Sequence, residues 1–456
     1  MHLLSRVIFG SLLLLIILAP IPYGLVEPWW EAVFECAVFL LTALWCIEWL
    51  LTGRSLDRRD LWLLVPLLAL VLFTLMQTLP LWPQTTPVGA LRQAISFDPY
   101  ETRLVGRKLL ALTLALALLL RYTDSLRRLH ALAFSVIGIG LASAIFGLVR
   151  QVAQHGTDGF LLAYLRPGTG YGQFVNKNHF AFLAEMALGL LAGLVVGRGV
   201  ARQRIPIYVA AAVPLWTALV LSNSRGGIFA MLCQVLFLAL TYQAKPSVNA
   251  DQQVTSERPP HASRLVATAR RLALAGALLL SLIIGMVWVA GDPLAERLGA
   301  VRAELGAEAT DTSQAGRAAI WRATWRLARA HPVTGVGFGG YWIAITQYHE
   351  GSGELVPQQA HNDYLELFAG GGLFGLSLAG WFVYKLTGRA RLSLADPSTV
   401  RRAIALGALT GLFGVAVHSL VDFGLHLTGN AIVCVALVAL ATRQLTAAPT
   451  QPKNYL

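Results

Sequence analysis

"QQAHNDYLELFAGGGLFG", residues 358–375, gathers His361, Asn362, Asp363 and Glu366 in its first half and then turns almost wholly apolar and glycine-rich. Such a stretch reads as the mouth of a membrane-crossing helix, with polar groups at the water boundary and hydrocarbon beyond. The rest of the chain agrees. Over 456 residues it is 56% hydrophobic and 13% charged, with a mean hydropathy of +0.60. A soluble protein is nearer about 45–50% apolar and about 25% charged. The expected fold class is an all-α polytopic membrane protein.

A helix needs about 20 apolar residues to cross the hydrocarbon core. Twelve stretches qualify, at 6–25, 30–51, 60–80, 104–121, 129–151, 177–197, 205–222, 226–243, 271–291, 361–385, 403–422 and 427–444. The fourth is the weakest, because Arg107 and Lys108 sit near its start. The first resembles a signal peptide but lacks a small-residue cleavage pattern, and Pro20 and Pro22 follow it, so it reads as a retained helix. With the N-terminus placed in the cytoplasm, every short basic loop falls inside, together with more than half of the 36 lysines and arginines. The positive-inside rule therefore puts both termini in the cytoplasm.

Four parts follow. Residues 1–171 hold helices one to five. Residues 172–291 hold helices six to nine with a polar cytoplasmic linker at 244–271. Residues 292–360 form one long extracytoplasmic loop containing short helices, and 361–456 hold helices ten to twelve. Within the long loop, 316–330 alternates as an amphipathic helix with Ile320, Trp321, Thr324, Trp325 and Ala328 on one face, suited to the membrane surface. His331-Pro332 ends it, since a residue before proline avoids helical backbone.

The net charge of +12 would suggest nucleic acid in a soluble protein. Here orientation in the bilayer explains it, and no nucleic-acid partner is expected. Cys36, Cys46, Cys233 and Cys434 all lie in apolar runs and read as small core residues. No disulfide or zinc spacing is present, so no metal site and no cofactor is expected.

Polar clusters share the extracytoplasmic side. "GQFVNKNHFAFLAEM", 172–186, places Asn176, Lys177, Asn178 and His179 at the start of one span. "LSNSRGG", 221–227, puts Arg225 in a tight turn between two others. His361 and Asn362 open a third, and Arg317 lies in the long loop. Each has a plainer reading. Lys177 and Asn178 suit a helix cap and interface anchor. Arg225 suits snorkelling to headgroups. Arg322, Arg326 and Arg329 suit a solvated face, and His331 a helix stop. For His361, a helix N-terminus disfavours imidazolium, which leaves a neutral ring able to act as a general base. Arginines bind phosphate oxygens bidentately and stay charged. Two arginines and one histidine at the outer surface suit transfer from a lipid diphosphate to a sugar hydroxyl, with arginine stabilising the leaving group.

These residues resemble the O-antigen ligase and O-antigen polymerase superfamily of bacterial envelope glycosyltransferases. His361-Asn362, then "DYLELFAGG" and "GLFG", fits its His…Gly-x-x-Gly motif. "SRGG" at 224–227 is similar to its Ser-Arg motif, "GRAAIWRATWRLARAHPVTGVGFGGY" to its loop segment, and "FVNKNHFA" to its Asn-x-Asn-x-Phe-Ala segment. The matches cover roughly 172–380; the first five helices match only in hydropathy. The resemblance implies an undecaprenyl-diphosphate-linked glycan donor, a catalytic His361, diphosphate-binding Arg225 and Arg317, and an inverting, metal-independent transfer. Asn362, Asn176, Lys177, Asn178 and Arg322 stand as possible support, with Arg322 one turn from Arg317. It also implies the bacterial inner membrane, with the active site facing the periplasm.

The acceptor is open between lipid A-core, a growing lipid-linked polysaccharide and protein serine. These correspond to a ligase, a polymerase and a protein O-oligosaccharyltransferase. The reading leans to lipopolysaccharide or exopolysaccharide synthesis. A polysaccharide transporter or flippase is the rival of another class; such folds place polar groups near the bilayer midplane and carry internal repeats, and neither feature is visible here.

Overall fold

A computed structural model describes residues 2–80, 94–156, 159–241, 317–350 and 356–445, with 84–85, 91–92 and Gly276 besides. Twelve helices of 14 residues or more organise them, besides a four-residue helix at Tyr341–Ala344: α1 (His2–Leu18), α2 (Pro28–Thr52), α3 (Arg58–Met76), α4 (Pro99–Tyr122), α5 (Leu126–Ala153), α6 (Lys177–Val196), α7 (Ile205–Leu221), α8 (Arg225–Thr241), α9 (Arg317–Ala330), α10 (Asp363–Leu394), α11 (Thr399–His418) and α12 (Thr428–Thr442). A two-residue hairpin pairs Gln84–Thr85 with Leu91–Arg92. The starts follow local chemistry: the side chains of Asp98, Ser125, Asn176, Asn362 and Ser398 each accept a first-turn amide.

The all-helical membrane class holds. Seven described helices are long and apolar enough to cross a bilayer, counting α7 with the short 3₁₀ turn before it, and Leu3–Leu18, α8 and α12 are shorter apolar helices. The expected total of about twelve spans is not reached among the described residues. The span at 271–291 and the linker at 244–271 lie outside them, and α4 falls short because Arg107, Lys108 and Arg121 lie within its apolar stretch. Those charges are met by acids of α2: Arg107 bonds Glu35, Lys108 Nζ lies 3.0 Å from Glu31, and Arg121 Nη2 lies 4.0 Å from Glu48. α2 turns an apolar face outward (Leu40, Trp49, Leu50), as a lipid-facing helix does. Cys36 and Cys46 lie exposed on α2 rather than in the core expected for them.

The centre of the bundle is α6, buried along most of its length and packed closely on α11. A Cβ on Gly193 would lie 2.1 Å from Gly407 Cα, so these two backbones touch without side chains between them. At the end away from the polar clusters, the buried Asp60 is held by Arg389 and by Arg443 Nη1 at 2.8 Å, which ties α3 to α10 and to the residue after α12.

Among the helix ends that differ from expectation, two bear on the polar clusters. α11 stops at His418, four residues short of the span predicted to reach 422, because Ser419–Phe423 turn back on themselves; the amides of Val421 and Asp422 bond the carbonyl of His418. Asp422 is thereby released into the turn. α10 runs longer than predicted, to Leu394, and is broken at Gly372, whose φ of 62° and ψ of −163° is open to glycine almost alone. The break is filled by the segment after α9. Val336 N donates to Ala369 O at 2.9 Å, Gly337 N to Gly370 O at 3.0 Å, and Leu373 N to Pro332 O at 2.8 Å. Gln77 Nε2, at the end of α3, adds 2.8 and 2.9 Å bonds to Thr334 O and Gly370 O. The glycines of α10 thus admit the backbone of 332–337.

Candidate functional site

The polar clusters meet at one end of the bundle, and Asp422 is where they join. Its side chain is 1% exposed. Oδ1 accepts the Phe423 amide at 2.9 Å and lies 3.6 Å from His361 Nδ1. Oδ2 accepts from Asn178 Nδ2 and lies 3.3 Å from Arg317 Nη2. Burial alone would raise this carboxyl, but His361, the Phe423 amide and Arg317 outweigh it and hold the group at about 2. Asp422 is an anion at any working pH.

His361 precedes the N-cap of α10 in left-handed backbone, φ 50°. Asn362 caps that helix, accepting from Tyr364 N at 3.1 Å and Leu365 N at 3.0 Å, and Glu366 Oε2 reaches back to Ala360 N at 2.7 Å. Caps on both sides therefore fix the residue between them. The His361 side chain is 32% exposed with Nδ1 buried, at ion-pair rather than hydrogen-bond distance from Asp422. Besides the helix N-terminus expected beside this ring, a buried carboxylate stands next to its Nδ1.

Arg225 is the first residue of α8, and Ser224 before it ties that helix to the site. Ser224 Oγ accepts Gly227 N at 3.2 Å and donates to Asn178 Oδ1 at 2.8 Å, and Asn178 continues to Asp422. Arg317, the first residue of α9, reaches Asp422 directly with its side chain 46% exposed. Of the two loop arginines left open, Arg317 contacts this centre, while Arg322 lies exposed on the wall of an adjoining groove. Asn176 caps α6 through Asn178 N at 2.9 Å, and Lys177 is half-buried in its first turn.

α9 itself differs from the predicted amphipathic helix in its buried face. Ile320, Ala323, Thr324, Leu327 and Ala328 are buried, and Trp325 is 49% exposed. The apolar face packs on protein, chiefly α10, rather than on a membrane surface.

Three further histidines, His179, His418 and His426, cluster here. The Phe423 ring meets His361 at 4.8 Å, His179 at 5.0 Å and His426 at 5.9 Å, all edge-on. His426 Nε2 lies 3.5 Å from Asp363 and 3.6 Å from Glu366. Below them, His418 Nδ1 and Glu185 Oε1 are 2.8 Å apart and wholly buried. Asp422 itself was missed. Its signal was an acid inside "VDFGLH", a short turn between two apolar runs, where a charge needs a partner. Among the described residues no group of three or more His, Cys, Asp or Glu is arranged to hold a metal.

No curated protein matches the chain in sequence. The family model described as O-antigen ligase matches residues 210–380. That stretch includes Arg225, Arg317 and His361, but neither Asn178 nor Asp422. Over residues 210–380 the chain is thus similar to the O-antigen ligase family.

Proposed function

We propose that this membrane protein transfers a glycan from an undecaprenyl-diphosphate carrier to a sugar hydroxyl at the periplasmic face of the bacterial inner membrane, without a metal. The observation that supports it is the buried Asp422 carboxylate, with Arg317 on one oxygen and the His361 ring beside the other. The four-part division at 171, 291 and 360 fits this reading, with the catalytic end built from 172–360 and the turns around 361 and 422.

With Nδ1 turned to Asp422, Nε2 of His361 is the nitrogen that takes the proton from the acceptor hydroxyl. The oxygen attacks the anomeric carbon as the bond from that carbon to the phosphate oxygen breaks. The electron pair leaves with the diphosphate, and the configuration inverts. Arg225 and Arg317 hold the charge that develops on the leaving group. Asp422 stabilises the imidazolium and keeps the ring oriented, as a carboxylate does behind a catalytic histidine. Asn178, positioned by Asn176 and Ser224, fixes Asp422. Lys177 and Asn362 frame the same mouth.

The test is reconstitution. Purified protein in proteoliposomes, given lipid-diphosphate glycan and an acceptor glycolipid, should form a glycosylated acceptor in the presence of EDTA. Failure to transfer, or a requirement for a divalent cation, would refute the proposal. Deletion in the host then separates the acceptors. Loss of long glycan on lipid A with lipid-linked polymer accumulating means a ligase. Single repeat units mean a polymerase. An unchanged polysaccharide with altered glycoproteins means protein O-glycosylation.

A further inference from the structure

α9 leads away from Arg317 along one wall of a groove of about 1030 Å³, lined by Trp321, Arg322, Trp325, Arg326, His349 and Leu365 among others. The groove begins beside the proposed base. Trp321 Nε1 donates to Ala360 O, next to His361, at 3.0 Å, and Leu365 is in the first turn of α10. At a rise of about 1.5 Å per residue, Arg322 and Arg326 stand about 7.5 and 13.5 Å along the helix from Arg317.

The lining is unlike an ordinary solvated face. The buried side of α9 is already satisfied on protein, yet Trp325 keeps 49% of its surface open among the described residues, with a tilted ring contact to Phe368 at 5.9 Å. Arg322 makes no hydrogen bond or ion pair among the described residues. Arg326 pairs with Glu350 at 3.0 Å, but the two side chains are 53% and 86% exposed, so the pair is weak and exchangeable. His349 Nε2 is buried with no partner among the described residues. Indoles offer flat faces to the C–H surface of sugar rings, and guanidinium forks match carboxylate or phosphate. A concave site with aromatic walls and a few placed polar groups is how proteins hold such ligands.

We infer that this groove binds the acceptor as an acidic glycan, bearing carboxylate or phosphate groups, laid along α9 with its reactive hydroxyl at His361. This rests on the transferase reading above. The arginines at two depths would each engage one acidic group, and the tryptophans would carry the intervening rings.

The test uses full-length protein in detergent and three probes: an oligogalacturonate hexamer for carboxylate, a phosphorylated mannan oligosaccharide for phosphate, and neutral maltohexaose. Calorimetric titration should show an acidic probe binding at least tenfold more tightly than the neutral one. R322Q/R326Q should remove that advantage, and R322K/R326K should restore part of it. Whichever acidic probe binds identifies the group. In transfer assays the glutamine pair should raise the acceptor KM tenfold or more, with donor KM and kcat unchanged. Equal binding of acidic and neutral probes, an unchanged acceptor KM, or a rise confined to donor KM would overturn the inference; the last would assign the groove to the donor glycan. A wild type that binds acidic probes in the groove but transfers nothing would instead refute the transferase reading.

Discussion

His418 Nδ1 lies 2.8 Å from Glu185 Oε1, with both side chains wholly buried between α6 and α11. The pair sits directly beneath the candidate site. The His418 carbonyl receives the amides of Val421 and Asp422, so its helix end carries the turn that presents Asp422. A Cβ on Gly226, next to Arg225, would come within 2.6 Å of His418 Nε2. The dyad therefore sets the spacing between the start of α8 and the turn of Asp422.

Removing one partner leaves the other buried without its hydrogen bond, which costs about 3–5 kcal/mol if the survivor is charged. E185A and H418A should lower the thermal unfolding temperature strongly in detergent, while E185Q, which keeps an acceptor, should lower it less. Equal losses for E185A and E185Q would remove the hydrogen bond from the argument. G226A should depress transfer by displacing His418; wild-type turnover in that variant would count against the spacing role.

Asp422→Asn tests the carboxylate behind His361. The amide keeps the size but removes the charge that supports the imidazolium. The expected loss in kcat is about 10²- to 10⁴-fold, the range that a positioned acid–base group contributes. Because Asp422 is held at about 2, it does not titrate between pH 5 and 9, so the wild-type profile there reports other groups. A pH–rate profile that keeps both its shape and its height would exclude Asp422 from the proton transfer.

How far the sequence alone reaches differs between these residues. His361 and Arg225 were legible because each breaks an apolar pattern at a helix boundary, whereas Arg317 sits in a polar loop and stood out through the family resemblance. Asn178 was legible as possible support, but the cap it was read as is Asn176, and its link between Ser224 and Asp422 was not visible. Asp422 was hidden by helix-end placement: hydropathy carries α11 to 422, and only the turn at Ser419 exposes the acid. Glu185 and His418 were hidden for another reason. They are 233 positions apart, and pairing across α6 and α11 is a tertiary fact that no local pattern encodes. The break in α10 was half visible: the glycines were evident, but the backbone that docks there comes from 332–337.

Arg225→Lys and Arg317→Lys should both impair transfer, because a point charge cannot reproduce the two-pronged contact of guanidinium with diphosphate. The two should differ in a second respect. Arg317 also holds Asp422 at 3.3 Å, so its loss disturbs the base as well as the leaving group. R225K is expected to lower kcat with an unaltered pH profile, and R317K to lower kcat and shift the profile. Single-turnover rates across pH 5–9 measure both. Full activity in R225K would argue against its hold on the diphosphate, and identical profiles would argue against the coupling through Asp422.

Gly372→Ala probes the joint between α10 and the segment after α9. A Cβ there would lie 2.3 Å from Val333 O, in backbone with φ of 62° that a side chain rarely adopts. Strain of this kind costs about 1–3 kcal/mol before any clash is counted. The kink also anchors Pro332 through Gly337, and α9 ends at Ala330 just before it, so loosening the joint frees the helix that carries Arg317. G372A should therefore lose activity in larger proportion than thermal stability, with donor KM rising as Arg317 drifts from Asp422. Ala substitution at Gly388, where a Cβ would meet nothing within 4 Å in the same helix, is the control and should leave both quantities unchanged. If G372A matched that control, the broken helix would have no part in holding the arginine.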